Sequence, residues 1–311
     1  MNRMVDILMR RLLTFMIASY AASLVAFAAD QPVAIRFRAQ VGEEAFACGR
    51  QYEGVGSTKA KISGRDFRFY VSNVRLLDSA GKETPLELDQ DGKWQLDDLA
   101  LLDFEDGTGG CSNGTPEMNR QITGKAPEGS YTGLRFTLGV PFNKNHADPL
   151  TQPSPLNLTA MCWVWNAGHK FARLDLSSEG IPRGFFIHLG STGCTPSDTK
   201  LTIPTSCKSP NRVEVTFPSF NASHDAVIAD LAALLQNSNL DFSQNKPDPG
   251  EGSGEPARKV GAGCMSGPST ADCVGLFANF GLPLGERPAG QQKFFRAGKS
   301  VSTDSSNSAA R

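Results

Sequence analysis

The chain has 311 residues, with 31 Lys and Arg against 32 Asp and Glu, for a net charge of −1. That balance leaves no basic footprint for a nucleic acid. Hydrophobic residues make up 40% of this length, ample for a real core.

The first residues read as an export signal. Arg3, Arg10 and Arg11 form a basic start, Leu12 to Val25 is apolar, and Ala26-Phe27-Ala28 is a small-x-small cleavage pattern. The apolar run is short and rich in small residues, a poor membrane span, and no other run is long enough to cross a bilayer. The pattern therefore predicts removal of residues 1–28 and a soluble, exported mature chain. That segment carries three Arg and one Asp, so its loss takes the net charge from −1 to −3.

Beyond it, short strands follow one another. Val33, Ile35, Phe37 and Ala39 alternate with polar or small residues, the mark of a half-buried strand. Asp66 to Leu77 is a second, with Phe67, Phe69, Val71 and Val74 inward and a parity shift near Ser72-Asn73 that predicts a bulge. Strands around Leu86–Leu88 and Trp94–Leu96 flank Asp91-Gly92, a hairpin signal. Leu99–Phe104, Tyr131–Val140, the tryptophan run 160–166, Phe171–Leu176, Phe185–Leu189 and Val213–Phe217 continue the pattern. Many short strands with turns between them predict a mainly β fold, an antiparallel, Greek-key-like sandwich with long disulfide-tied loops. The one good helix pattern is His224 to Gln236, with Val227, Ile228, Leu231, Leu234 and Leu235 at helical spacing and Ser223 as N-cap. The predicted organisation is a sandwich over 29–242 ending in that helix, a linker over 243–263, a disulfide-closed appendage over 264–284 and a disordered tail over 285–311.

Seven cysteines in an exported chain read first as disulfides. Cys194–Cys207 and Cys264–Cys273 would close short local loops, and Cys48–Cys111 follows by elimination. Cys162, inside an apolar run, is expected to stay reduced. Among standard catalytic motifs, there is no HExxH, CxxC or phosphate loop. Asp103, Glu105 and Asp106 form a carboxylate cluster without the spacing of a calcium loop, so a hydrogen-bonded turn is the better reading.

The chemistry concentrates between Pro141 and Leu189. His146 lies in a polar loop, Asn145-His146-Ala147-Asp148, and His188 stands in an apolar run, Phe185-Phe186-Ile187-His188-Leu189. An imidazole among such neighbours needs a partner, because unpaired polar burial is costly. A copper(I) ion held by two or three ligands is one such partner. His169, after a glycine, is a weaker third candidate and is expected to face solvent. Trp163 and Trp165 have strand spacing, so both rings point to one face. The bland reading is ordinary core aromatics, and indole offers a metal no lone pair.

Several ordered segments change that balance: FACGRQYEGVG, DFRFYVSNVRLL, LLDFEDGTGGC, GLRFTLGVPFNKNHADP, TQPSPLNLTAMCWVWNAGHKF, HLGSTGC, ADLAALL and GCMSGP. With them the chain resembles the MbnP-like family, the metallo-mystery pair proteins with a four-Cys motif, from about Val33 to Leu282. The resemblance implies a periplasmic or secreted protein, not an enzyme, that holds a single copper(I). It also implies oxidation of the first Trp of the W-x-W motif, Trp163, to kynurenine by an MbnH-type partner, a di-haem enzyme resembling cytochrome c peroxidases. His146 and His188 fall in family-like segments and are the expected imidazole ligands, with Trp165 and His169 supporting. Cys162 and His169 stand where the family pattern carries aromatic residues. Two rivals remain: a metal-free secreted binding or adhesion domain, and a copper oxidase, which four histidines supply poorly.

Overall fold

The computed structural model describes residues 29–163, 168–195, 203–245 and 261–300. The export signal, Trp165, linker residues 246–260 and tail residues 301–311 lie outside these. The main elements are β1 (Asp30–Val41), β2 (Ala60–Leu77), β3 (Leu99–Asp103), β4 (Gln121–Pro127), β5 (Gly133–Leu138), α1 (Phe142–Asn145), β6 (Ala172–Ser178), β7 (Phe185–Leu189), β8 (Val213–Phe217), β9 (Asp225–Asp230), α2 (Leu231–Leu235), α3 (Cys273–Phe280) and β10 (Phe295–Lys299).

Two sheets face each other. One runs β10–β9–β1–β4 and ends on the short strand Glu87–Leu88. The other runs β8–β5–β2–β6–β7, with Gly263–Cys264 beyond β7 and β3 also paired to β2. The pairings are mostly antiparallel, but β1 with β9 and β7 with Gly263–Cys264 run parallel. Phe37 of the first sheet meets Phe69 and Phe136 of the second edge-on, with ring centroids 6.1 and 5.8 Å apart. Truncating such a ring, Phe69→Ala for example, costs about 3–5 kcal/mol through lost burial and the cavity left behind.

The strand β2 shows how alternation becomes architecture. Phe67, Phe69 and Val71 point into the sandwich and are fully buried. Asn73 adopts φ 55°, and the β5 register slips there, so Arg135 faces Arg75 while Thr137 faces Ser72. This is the bulge, and it returns Val74 and Leu76 to the core side. The opposite face, Asp66, Arg68, Tyr70 and Ser72, is buried too. Tyr70 donates its hydroxyl to the Pro155 carbonyl at 2.8 Å, and Ser72 donates to Gly139 at 2.8 Å. The Pro-punctuated excursion over 141–171 is thus a second cover on the outside of the sheet.

The structure corrects three expectations. The helix expected over 224–236 is strand β9 followed by the short helix α2. β9 has neighbours on both edges, β1 and β10, and Ala226, Val227, Ile228 and Ala229 are all buried. A segment covered on both faces carries the same apolar residues as a helix, and β-branched Val and Ile favour the strand. The helix then starts at Asp230, not Ser223: the Asp230 carboxylate accepts from Ala232 and Ala233 amides at 2.9 and 3.2 Å. The tail expected to be disordered from residue 285 instead returns as β10, anchored by buried Phe294 and Phe295. Likewise the appendage belongs to the main core: α3 buries Leu276, Phe277 and Phe280 in it and stops at Gly281, at φ 77°. Third, Asp91-Gly92 is no hairpin. Glu87–Leu88 pairs with β4 and Gln95–Leu96 with β3. Asp91 instead caps the amides of Lys93, Trp94 and Gln95.

Three disulfides are formed, Cys48–Cys111, Cys194–Cys207 and Cys264–Cys273, and Cys162 is free. Cys48–Cys111 ties the loop after β1 to the turn after β3. There Asp106 caps Thr108, Asp103 accepts the Glu105 amide, and Glu105 faces Arg68. These carboxylates are spent on a turn and an ion pair.

Candidate functional site

Two distant points of the excursion, Asn145 and Leu156, are tied together by one side chain. His169 is 1% exposed, and its Nδ1 and Nε2 lie 2.8 and 2.9 Å from the carbonyl oxygens of Asn145 and Leu156. Its ring meets Tyr70 edge-on at 6.0 Å. His169 therefore does not face solvent, as the glycine before it suggested. Both its nitrogens are turned to carbonyl oxygens, so in this arrangement it holds the loop and offers a metal nothing.

The pin orients the next residue. The His169 amide donates to Asn145 Oδ1 at 2.8 Å. That contact fixes which end of the Asn145 amide is which, and places Nδ2 3.1 Å from His146 Nε2. An amide N–H can only donate, so Nε2 of His146 is unprotonated and accepts from Asn145. Its nearest sulfurs are Cys207 Sγ at 3.3 Å and Cys194 Sγ at 3.9 Å. The ring packs on backbone: a Cβ at Gly168 would lie 3.3 Å from its Cε1 and Nδ1.

Gly168 connects this imidazole to the tryptophan. Cys162–Trp163 pairs with Gly168–His169 as a two-stranded ribbon, with Trp163 directly opposite Gly168 and Cys162 opposite His169. Directly opposite residues point to the same side of a ribbon. Trp163 and the His146 ring therefore share one side, and Cys162 is on the other. The indole is buried and its six-membered edge rests on Gly190, where a Cβ would come within 2.5 Å of Cζ3. Only glycine admits that approach.

His188 is two residues before Gly190, at the end of β7. Its Nε2 is 2.9 Å from Asp175 Oδ1, across the β6–β7 pair. Asp175 also accepts from Arg173 Nε at 2.8 Å, and Arg173 reaches Asp66 at 3.1 Å. Asp66 in turn holds Arg68, and Arg68 faces Glu105 at 3.3 Å. Burial alone would raise the Asp175 carboxyl, but the hydrogen bond and charge of His188 and Arg173 outweigh it and hold it below the ordinary range. For Asp66 burial wins over Arg68 and the shift is upward. Burial likewise pushes Asp103 up to about 7 against the pull of Arg68, and Lys170 down to about 8. Cys162 is pushed up to about 11 by burial, partly offset by Lys170, so at neutral pH it is a thiol and no thiolate competitor for metal.

The fold thus brings His146 and Trp163 to one place and sets His188 on the strand that leads into Gly190. Trp165 lies outside the described residues. Sequence reasoning missed Asn145, Gly168, Asp175, Gly190 and the position of the Cys194–Cys207 disulfide. Only the glycines left a signal, one just before His169 and one just after His188-Leu189. Among the described residues, no helix is long and apolar enough to cross a membrane.

The family model described as MbnP matches residues 30–265. The chain belongs to the MbnP family. Among solved structures it is similar to MbnP from Methylosinus trichosporium, with 29% identity, a TM-score of 0.75, and coverage of 88% of this chain and 100% of that one. No curated protein matches it. The matched range takes in the loop excursion and β7, where His146, Trp163 and His188 stand, and ends before α3 and β10.

Proposed function

We propose that this MbnP-family chain is an exported binding protein for a single copper(I) ion, with His146 and His188 as imidazole ligands. Trp163 is the residue to be oxidised to kynurenine by an MbnH-type di-haem partner. The observation that carries the reading is the contact set of Trp163: its ring edge on Gly190, beside the His188 strand, and its cross-strand partner Gly168 under the His146 ring. One glycine lets the buried indole pack directly on the backbone after the His188 strand, and the other lets the His146 ring do the same beside it.

The donor set fits copper(I). His146 Nε2 accepts from the Asn145 amide and is therefore unprotonated, so it can ligate once the metal takes the place of that hydrogen bond. His188 has Nε2 tied to Asp175, which leaves Nδ1 as the nitrogen that can ligate. Metal-binding histidines characteristically hold their other ring nitrogen to a carboxylate in this way. Unmodified indole has no donor lone pair, whereas the aniline nitrogen and ketone left by opening its pyrrole ring do. Copper(I) would supply a soft, low-coordinate acceptor for these groups. The chain's own part is to bury the site, fix both imidazole orientations and keep Cys162 protonated. Its role is capture or delivery of the ion, without turnover.

The test uses one tryptic peptide, residues 145–170, which contains His146, Trp163 and Trp165. Co-expressed with the haem partner, it should gain one oxygen and lose one carbon at Trp163, and stay unmodified without the partner. The purified chain should carry one copper, lost in His146→Ala and in His188→Ala. A metal-free chain from copper-replete cells, or full copper in both variants, overturns the assignment.

A further inference from the structure

The unprotonated nitrogen of His146 lies beside a disulfide, and the geometry has a second use. We propose that Cys194 and Cys207, once reduced, join His146 in a sulfur-rich site for a soft metal ion, so that the Cys194–Cys207 bond is a redox latch on copper capture. The idea deepens the copper-binding reading and rests on it only for the identity of the metal.

Four observations support the site. The ligand atoms of His146, Cys194 and Cys207 lie within 4.8 Å of one another. The separations of Nε2 from the two sulfurs, 3.3 and 3.9 Å, bracket the value a metal imposes: with metal–nitrogen and metal–sulfur bonds of about 2.0 and 2.3 Å at trigonal to tetrahedral angles, nitrogen and sulfur are about 3.5–3.7 Å apart. The two sulfurs alone would have to part, to about 3.8–4.0 Å by the same geometry. They have the freedom to do so, because Cys194 and Cys207 stand directly opposite on a two-stranded ribbon, Thr192–Thr195 against Ser206–Ser209. Opposite residues of such a pair keep their side chains on one face whether or not the bond exists.

Access and charge point the same way. Cys207 lines a cavity of about 220 Å³ with Phe142, Ser191, Thr205 and Arg212, so the bond can be approached from outside. Arg212 is also buried in part, and its Nε has no hydrogen-bond acceptor. A buried donor without an acceptor is costly, and a site carrying two thiolates and one monovalent cation has a net charge of −1 for it to face.

The chemistry balances with a dithiol reductant of the thioredoxin class. The donor's two S–H groups become its disulfide and pass two electrons and two protons to the Cys194–Cys207 bond, which breaks into two thiols. Each thiol releases its proton to solvent as its sulfur binds the metal. Re-oxidation reverses the sequence and ejects the ion. The latch therefore ties copper retention to the redox state of the compartment.

The experiment compares the full mature chain before and after reduction with a phosphine, removed by gel filtration under argon. Copper(I) is titrated against a chromophoric chelator, and X-ray absorption reads the copper shell. The reduced chain should bind about tenfold tighter or more and show sulfur at about 2.3 Å. Both changes should be lost in Cys194→Ser/Cys207→Ser, in which the other two disulfides still respond to the phosphine. If that variant does not fold, the reduced and alkylated wild-type chain takes its place, with the same expectation. Equal affinity in both redox states, or copper–sulfur scattering that persists in the double variant, overturns the latch. A chain that binds copper only when reduced upholds it and overturns the preceding proposal. Equal binding in the two states does the reverse.

Discussion

Asp175→Asn is the sharpest probe of how the site is held. In the native chain one carboxylate oxygen accepts from His188 Nε2 at 2.9 Å and the other from Arg173 Nε at 2.8 Å. Asparagine keeps the shape but has a single acceptor. Its oxygen should turn to the guanidinium, the stronger donor, which puts the amide N–H against His188 Nε2. That nitrogen must then accept, and the imidazole proton moves to Nδ1, the position assigned to copper. The structural loss is bounded by the ion pairs. Removing one partner of a buried pair costs about 3–5 kcal/mol when the other is stranded. Arg173 is not stranded, since Asp66 remains 3.1 Å away, so the expected loss is about 3 kcal/mol, the lower end of that range. Loss of a carboxylate behind a metal-binding imidazole lowers affinity about 10- to 100-fold. Nitrogen-15 spectra of the His188 ring and copper(I) competition read the two effects separately. A ring whose tautomer is unchanged in a folded variant, with copper affinity within about twofold of wild type, would refute the reasoning about tautomer and ligand alike.

Three further outcomes follow from the same geometry. Gly190→Ala places a methyl group 2.5 Å from Trp163 Cζ3 and 2.8 Å from the His169 carbonyl; it should destabilise the chain by about 1–3 kcal/mol through overpacking and shift Trp163 fluorescence, whereas unchanged melting would mean the ring is not held there. Asp103→Asn tests the buried charge behind the site. Asp103 is raised to about 7, so its contribution is fully present below the ordinary carboxylate value and lost as pH rises through about 7. Asparagine retains the acceptor for the Glu105 amide and escapes that loss. Its unfolding free energy should match wild type at pH 4 and exceed it at pH 8, by up to about 4 kcal/mol, as read by denaturant melts at the two pH values. Asp175 has the opposite sign: held below its ordinary value, it stabilises above that value and the benefit is lost as pH falls through the folded one. Cys162, pushed up to about 11, should react with a thiol reagent at pH 8 more than tenfold slower than a free cysteine of about 8.5, and Cys162→Ser should keep its copper; rapid labelling would show a thiolate competitor.

Much of this molecule is written locally. The alternation of Phe67, Phe69 and Val71, broken at Asn73 and resumed at Val74, specifies β2 and its bulge because side chains one residue apart point to opposite faces. The loop-borne cysteines, taken by spacing and elimination, lead to the three bonds that form, and the ordered motifs from FACGRQYEGVG to GCMSGP carry the family.

What the tertiary structure alone decided are the properties that depend on a partner distant along the chain. Residues 224–236 have one apolar pattern that suits a helix or a doubly covered strand, and the presence of β1 and β10 on either side chose the strand. Phe294 and Phe295 look like stray aromatics in a polar tail until the sandwich supplies the surface that buries them. The histidines divide the same way. Their spacing singled out His146, His169 and His188, but an imidazole's role is set by what its two nitrogens meet. Two carbonyl oxygens make His169 a pin, Asp175 leaves His188 one nitrogen, and the Asn145 amide keeps His146 Nε2 unprotonated.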